Sequence, residues 1–447
     1  MFKTKKRTKD ILNGNIPEQI IIFTLPIMWS YLLQQLYQIV DSVVLGRFAS
    51  TAALAAIGSS NSILNVVLNF ISGVASGAMI CVAKNYGSRN PEKVKNSIKT
   101  SMFVSIVLGA LLTTLLVVFC KPILIVTGCP SDVFSDSKIY LIIYACGFIP
   151  YLIYSVGRNI IIATGDGKKS IMFTIIIAII KVFLDLLLTG LLKMGIWGVS
   201  IATLASYIVC AIVVIYIFKN TADIYQFDIK EIGCDSESLI QIIKIGLPAA
   251  IQSMLFALSN LVIQTKINSY GTDTIAAFSA YNSVDNYYWC FENAYGSAMI
   301  TLVSQNYGNK NQKRVYQYAN YGIIINFIIS LLIGLIVFFF GRYALMLYST
   351  DQNVLLIGEQ MLKAVVLTYP TYDILETLSA VCKGNGDATN SMIMCLIGIC
   401  LVRILYVSFI NFTNSYQILY CYGISWTITS LMYVIYLLIS KKYKRTY

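Results

Sequence analysis

The chain has 447 residues, 57% of them hydrophobic and only 12% charged, with a mean hydropathy of +0.71. A soluble domain carries about 25% charge, so this composition excludes an ordinary soluble protein and points to an integral membrane protein with many spans. The net charge of +12 does not mark a nucleic-acid binder, because Lys and Arg gather at the tails and in short loops between apolar runs, the positive-inside pattern.

In chain order, a basic tail over 1–18 (MFKTKKRTKD at its start) runs into apolar sequence without a small-residue cleavage site. It reads as a cytoplasmic tail followed by a retained first span, not a signal peptide. Apolar runs of about 20 residues, each long enough to cross a bilayer as a helix, recur about twelve times. They fall near 19–46, 53–83, 101–120, 139–162, 171–192, 196–218, 243–267, 275–304, 318–340, 357–382, 391–412 and 417–440. This divides the chain into an N-lobe over 19–218, a polar cytoplasmic linker over 219–242, a C-lobe over 243–440 and a basic tail over 441–447. With both termini cytoplasmic, roughly 23 Lys and Arg lie inside and roughly 6 outside, a bias that sets orientation in a plasma membrane.

The chain also repeats itself. Ala83 to Val94 reads AKNYGSRNPEKV, and Ser304 to Val315 reads SQNYGNKNQKRV, an offset of 221 residues. The offset also aligns Leu54-Ala55-Ala56 with Ile275-Ala276-Ala277, and a Leu-Pro pair opens each copy at Leu25-Pro26 and Leu247-Pro248. Six spans per half is an even number, so the halves are parallel repeats about an axis along the membrane normal. Gly87 and Gly308 are expected to make the turns of the repeated loops, with the basic residues beyond them facing the cytoplasm. Pro26, Pro150, Pro248 and Pro370 lie inside apolar runs, where each is expected to bend a helix.

Eleven cysteines are scattered without a CxxC pair, and the chain has no histidine. Metal sites and histidine-based catalysis are therefore not expected, and the loops hold no nucleotide-binding motif.

The order and spacing of several motifs resemble the multidrug and toxic compound extrusion (MATE) transporters, over nearly the whole chain. They are the early Leu-Pro, Tyr37-x-x-x-Asp41 and Gly46 in the first span, the NYG loop, Gly165-Asp166-Gly167, Asp185, Gly195-Ile196-Trp197-Gly198, the second NYG loop and Lys383-Gly384-Asn385-Gly386. The resemblance implies an all-α membrane protein with two six-helix lobes around a central cleft. It also implies efflux of amphiphilic, often cationic compounds driven by inward H+ or Na+, without a cofactor, nucleotide or nucleic-acid partner. It further implies that Tyr37, Asp41, Asp185 and Thr203 belong to a cation site in the N-lobe. The position of Lys181 is commonly Asn in that family, and this chain departs there.

A charge at the bilayer centre costs about 3 kcal/mol on insertion scales, so each one needs a partner or a task. Lys181 precedes Asp185 by four residues and shares its helix face. Asp41, Lys181 and Asp185 together carry one negative charge, which one proton or one monovalent cation would neutralise. This tilts the coupling toward H+, with Asp41 as carrier, and the alternative is a static Lys181–Asp185 pair. In the eighth span Tyr281, Asp285, Tyr288, Glu292 and Tyr295 are spaced four, three, four and three, one face alternating aromatic and acidic residues. Such a face suits an organic cation. Asp373 and Glu376 share a face of the tenth span. The competing reading pairs these acids with Lys363 or Arg403. The expected function is a secondary antiporter rather than an enzyme. The alternatives are a lipid-linked oligosaccharide flippase of the related superfamily and an integral membrane enzyme.

Overall fold

The computed structural model describes residues 11–48 and 51–440, without the side chains of Asp41, Ser42, Leu45, Thr51 and Ala52. Among the described residues the regular structure is entirely helical. In the first half come α1 (Ile16–Phe48), α2 (Thr51–Gly87), α3 (Pro91–Val126), α4 (Phe134–Cys146), α5 (Phe148–Ala163), α6 (Gly167–Asp185) and α7 (Gly195–Asn220). The second half has α8 (Ser236–Asn268), α9 (Thr272–Gly308), α10 (Gln312–Leu345), α11 (Gln352–Val366), α12 (Tyr369–Gly384), α13 (Ala388–Cys395), α14 (Val402–Phe409) and α15 (Tyr420–Ile439). Short π-helical turns at Leu186–Leu191 and Leu396–Leu401 extend α6 and join α13 to α14.

Among the described residues nine stretches are long and apolar enough to cross a membrane, and α4 with α5, bent by 48°, make a tenth. The two expected spans that fall short are α9 and the α11–α12 pair. They hold Asp285 and Glu292, and Glu359, Lys363, Asp373 and Glu376, which lower their hydropathy. The protein is an all-α, multi-pass membrane protein.

Two compact units divide the chain: Trp29–Ala250, and Met1–Met28 with Ile251–Tyr447. The division cuts α1 and α8 just past Pro26 and Pro248, the equivalent prolines of the repeat. In the Trp29–Ala250 unit, α5 packs against α2, α3 and α7. There α2 meets the start of α8 backbone to backbone: a Cβ on Gly73 would lie 2.2 Å from Ala250 Cα, and one on Gly77 2.3 Å from Gly246 Cα. Glycine is required at that crossing. In the other unit α12, 221 residues on from α5, packs against α9, α10 and α15. The repeat thus reproduces the packing as well as the sequence.

The repeated loop corrects one expectation. Gly87 and Gly308 end their helices in helical conformation, and the left-handed residues are Arg89 (φ 54°) and Lys310 (φ 57°). The next residues, Asn90 and Asn311, cap α3 and α10 by accepting from Lys93 N at 3.0 Å and Arg314 N at 3.2 Å. The Asn of each RN or KN dipeptide is therefore the stop-and-start signal. Pro150 and Pro370 sit in the first turns of α5 and α12, where the missing N–H is harmless, and the 48° bend between α4 and α5 falls at Gly147, three residues before Pro150.

Candidate ion and substrate sites

In the Trp29–Ala250 unit the i, i+4 spacing on α6 does what it promised. Lys181 Nζ lies 2.5 Å from Asp185 Oδ2, with both side chains buried. The π-helical turn begins at the next residue, Leu186. Thr203, on α7, is buried and donates to the Val199 carbonyl at 3.0 Å. Tyr37 is half-buried on α1, and the Asp41 side chain lies outside the described residues. Arg158, on α5, donates from Nε to Ser170 Oγ at 2.9 Å and from Nη2 to Ser30 Oγ at 3.1 Å, and lies over the Tyr31 ring.

The acidic-aromatic face of α9 is buried inside the other unit. Tyr281, Asp285, Tyr288, Glu292 and Tyr295 are each at most 7% exposed, so none of them lies on a lipid-facing surface. Their partners come mostly from α12. Tyr288 stacks on Tyr369 with ring centroids 3.7 Å apart. Asp285 accepts from Tyr369 at 2.5 Å and from Trp289, one turn along its own helix, at 2.7 Å. Asp373 accepts from Tyr288 at 3.2 Å, and Tyr295 shares a hydrogen bond of 2.9 Å with Thr377. Asn326, from α10, donates to Glu292 at 3.3 Å and to Asp373 at 3.5 Å, bridging the two carboxylates. Glu376 is half-buried, accepts from Tyr372 at 3.1 Å and leans over Gly296, whose Cβ would lie 2.2 Å from Glu376 Oε1.

The pairing of these acids with Lys363 or Arg403 does not occur among the described residues. Lys363 pairs with Glu359 at 2.7 Å, one turn back on α11, and Arg342 joins the same carboxylate at 3.1 Å. Arg403 bonds to Ser425 and Asn260 instead. Four acids therefore stand in one helical unit held by phenols, an indole and an amide, with no Lys or Arg in ion-pair contact among the described residues. Glu292 Oε1 and Asp373 Oδ2 are buried without a hydrogen-bond partner. Such acceptors are costly in a membrane unless a proton, a water or a cation completes them.

Tyr369, Trp289, Asn326 and Tyr372 were not singled out from the sequence. Trp289 follows Asp285 by four residues, and Asn326 is a lone amide in an apolar run; both were findable by spacing. Tyr372 likewise precedes Glu376 by four residues on α12, whereas Tyr369 reaches Asp285 only because α12 packs on α9.

A model of the MatE family matches residues 26–187 and again 248–410, once per half. The chain belongs to the MatE family of MATE transporters. It is a transporter and not an enzyme. The relatives of this MATE transporter include the "Probable multidrug resistance protein YoeA" of Bacillus subtilis, 26% identical over 392 residues, or 86% of this chain and 83% of that one. Another is the "Probable multidrug resistance protein NorM" of Thermotoga maritima, 25% identical over 398 residues, or 87% of this chain and 84% of that one. Among solved structures, a MATE protein in complex with MaL6 aligns with a TM-score of 0.88 at 18% identity, over 97% of this chain and 98% of that one. An outward-facing multidrug resistance MATE transporter aligns with the same score at 17% identity and the same coverage. These likenesses show that the fold is shared.

Proposed function

We propose that this MATE transporter is a multidrug antiporter that exports amphiphilic organic cations by alternating access, coupled to inward H+. The observation that carries the reading is the set of four acids, Asp285, Glu292, Asp373 and Glu376, among aromatic rings and without a Lys or Arg partner among the described residues. Carboxylates supply the charge that an organic cation seeks, and the rings of Tyr281, Tyr288 and Tyr295 supply cation–π attraction of roughly 0.5–2 kcal/mol each. The names of the relatives support export of drugs. Because the set is enclosed, cargo reaches it only in a state that parts α9 from α12, and such a state is what a transport cycle must visit.

The coupling ion is read from the first half. The 2.5 Å Lys181–Asp185 pair places an ammonium where the family commonly has an amide. With Tyr37, Asp41 and Thr203 it makes a site one charge short of neutral, and one proton on Asp41 closes that gap. The reading has cytoplasmic termini in a plasma membrane, so that H+ enters down its gradient.

Ethidium efflux from proteoliposomes, with H+ and Na+ gradients imposed one at a time, is the direct test. A H+ gradient alone is expected to drive efflux, and Lys181→Asn is expected to shift the preference toward Na+. Efflux driven only by Na+ in the unaltered protein would sink the coupling assignment. Glu292→Gln and Tyr288→Ala are expected to reduce transport of cationic dyes by about tenfold, with a much smaller loss for neutral ones. Equal losses for both would remove the cation-binding role.

A further inference from the structure

The two halves share a backbone, and the offset tells which positions correspond. The Leu-Pro pairs set 222 residues between α1 and α8, so Tyr37 falls opposite Ser259 and Asp41 opposite Ile263. Between α6 and α13 the offset starts at 221, from Gly165-Asp166 to Gly386-Asp387. The π-helical turn Leu396–Leu401 then intervenes, and such a turn inserts one residue. Past it the offset is 222, so Lys181 falls opposite Arg403 and Asp185 opposite Val407. The second half has kept the cation and lost both acids: Ile263 and Val407 are buried aliphatics, at 0% and 5% exposure.

Arg403 is 1% exposed, so its permanent charge is shut away from water. Among the described residues it has no carboxylate in ion-pair contact, unlike its counterpart Lys181. Its Nε donates to Ser425 Oγ at 3.1 Å and its Nη1 to Asn260 Oδ1 at 2.9 Å, both neutral acceptors. Aromatic faces wall it: its Cζ lies 4.5 Å from the Tyr422 ring centroid and 6.0 Å from those of Phe256 and Trp426. These contacts offset part of the burial cost, while no carboxylate among the described residues comes within ion-pair distance of the guanidinium. A second observation points the same way. The indole N–H of Trp426, one of the walls, is buried at 1% exposure and has no acceptor. A buried donor without an acceptor costs about 1–3 kcal/mol. A guanidinium without a carboxylate in ion-pair contact among the described residues lies 6.0 Å from the centroid of an indole ring whose N–H has no acceptor there, and each group calls for an acceptor that carries negative charge.

We propose that Arg403 and Trp426 form a site for one small monovalent anion, either a free halide or the carboxylate group of a solute. The equivalent places of the two halves then bind ions of opposite sign: a cation where Asp41 and Asp185 stand, an anion where Ile263 and Val407 stand. Arg403 supplies the charge, the Trp426 N–H the directed hydrogen bond, and Asn260 and Ser425 hold the guanidinium in place.

The test uses the purified full-length transporter in detergent at constant ionic strength. Chloride, and in a separate series acetate, replaces isethionate, a bulkier anion than either, while thermal unfolding is followed. A ligand that binds the folded state raises the unfolding midpoint saturably. The unaltered protein is expected to show such a rise. Trp426→Phe, which keeps the ring and removes the N–H, should weaken the apparent affinity about tenfold, and Arg403→Gln should abolish the response. A rise with chloride alone assigns the site to a free halide; a rise with acetate, to a carboxylate. No saturable rise with either anion, or a Trp426→Phe protein that responds as the unaltered one does, overturns the proposal. Trp426→Phe decides the matter even where Arg403→Gln fails to fold. Neither result depends on which cation drives export, since Lys181→Asn tests that in the other half.

Discussion

Lys181 and Asp185 are each costly in a membrane and are held as a buried pair 2.5 Å apart. Removing one partner breaks that ion pair. Lys181→Met is therefore expected to destabilise the protein by about 3–5 kcal/mol, read as a lower unfolding midpoint in detergent. Lys181→Met combined with Asp185→Leu should recover most of that loss, because two apolar side chains replace both charges at once. If the double variant is no better than the single one, the pair is not what stabilises α6. The pairing was legible in the sequence, since four residues on a helix bring two side chains to one face whatever surrounds it. The partners of Asp285 divide by the same logic. Trp289 is four residues away and local, whereas Tyr369 is 84 residues away and no spacing rule reaches it.

At the scale of the element, α9 shows how a helix can be right in pattern and different in surroundings. Its acidic and aromatic residues share one face, as their spacing requires. Its burial against α12 and α10 depends on close approaches such as that of its own Gly296 to Glu376 of α12. The crossing of α2 over the start of α8 is the sharpest such case. Gly77→Leu forces a side chain into the Gly246 backbone, so it should abolish folded, monodisperse protein in size-exclusion chromatography. Gly46→Ala on α1 has nothing within 4 Å of the new Cβ and should be neutral or stabilising by up to about 1 kcal/mol from helix propensity. A folded Gly77→Leu protein would show that the crossing tolerates separation. The repeated loops make the complementary point. The glycines drew attention, yet Arg89 and Lys310 take the left-handed turn because the cap belongs to the asparagine that follows.

For the whole molecule, the charge map predicts which face of the membrane each loop meets. Cys234, exposed in the linker before α8, should react with a membrane-impermeant maleimide in inside-out vesicles and not in intact cells, in a variant whose other cysteines are replaced. Labelling in intact cells would invert the topology. The linker also shows what packing adds to polarity. Although the segment is polar, Tyr225 and Phe227 are buried, and the Phe227 N–H bonds to the Phe218 carbonyl at 3.0 Å, so the chain is fastened down where composition alone reads as a tether.

The sequence by itself determined the class, the repeat, the order of the spans and the Lys181–Asp185 pair. Each of these rests on local composition, on helical spacing or on the comparison of one half with the other. The tertiary structure alone decided that the acids of α9 and α12 meet phenols and an amide rather than Lys363 or Arg403. It also decided that the compact units exchange the first parts of α1 and α8. The reason is physical. A helix fixes which side chains share its own face, but which face meets which neighbour depends on small residues and backbone crossings scattered hundreds of residues apart. Arg403 is where the two levels join: the repeat says which residue it answers to, and only the packing shows that no carboxylate among the described residues pairs with it.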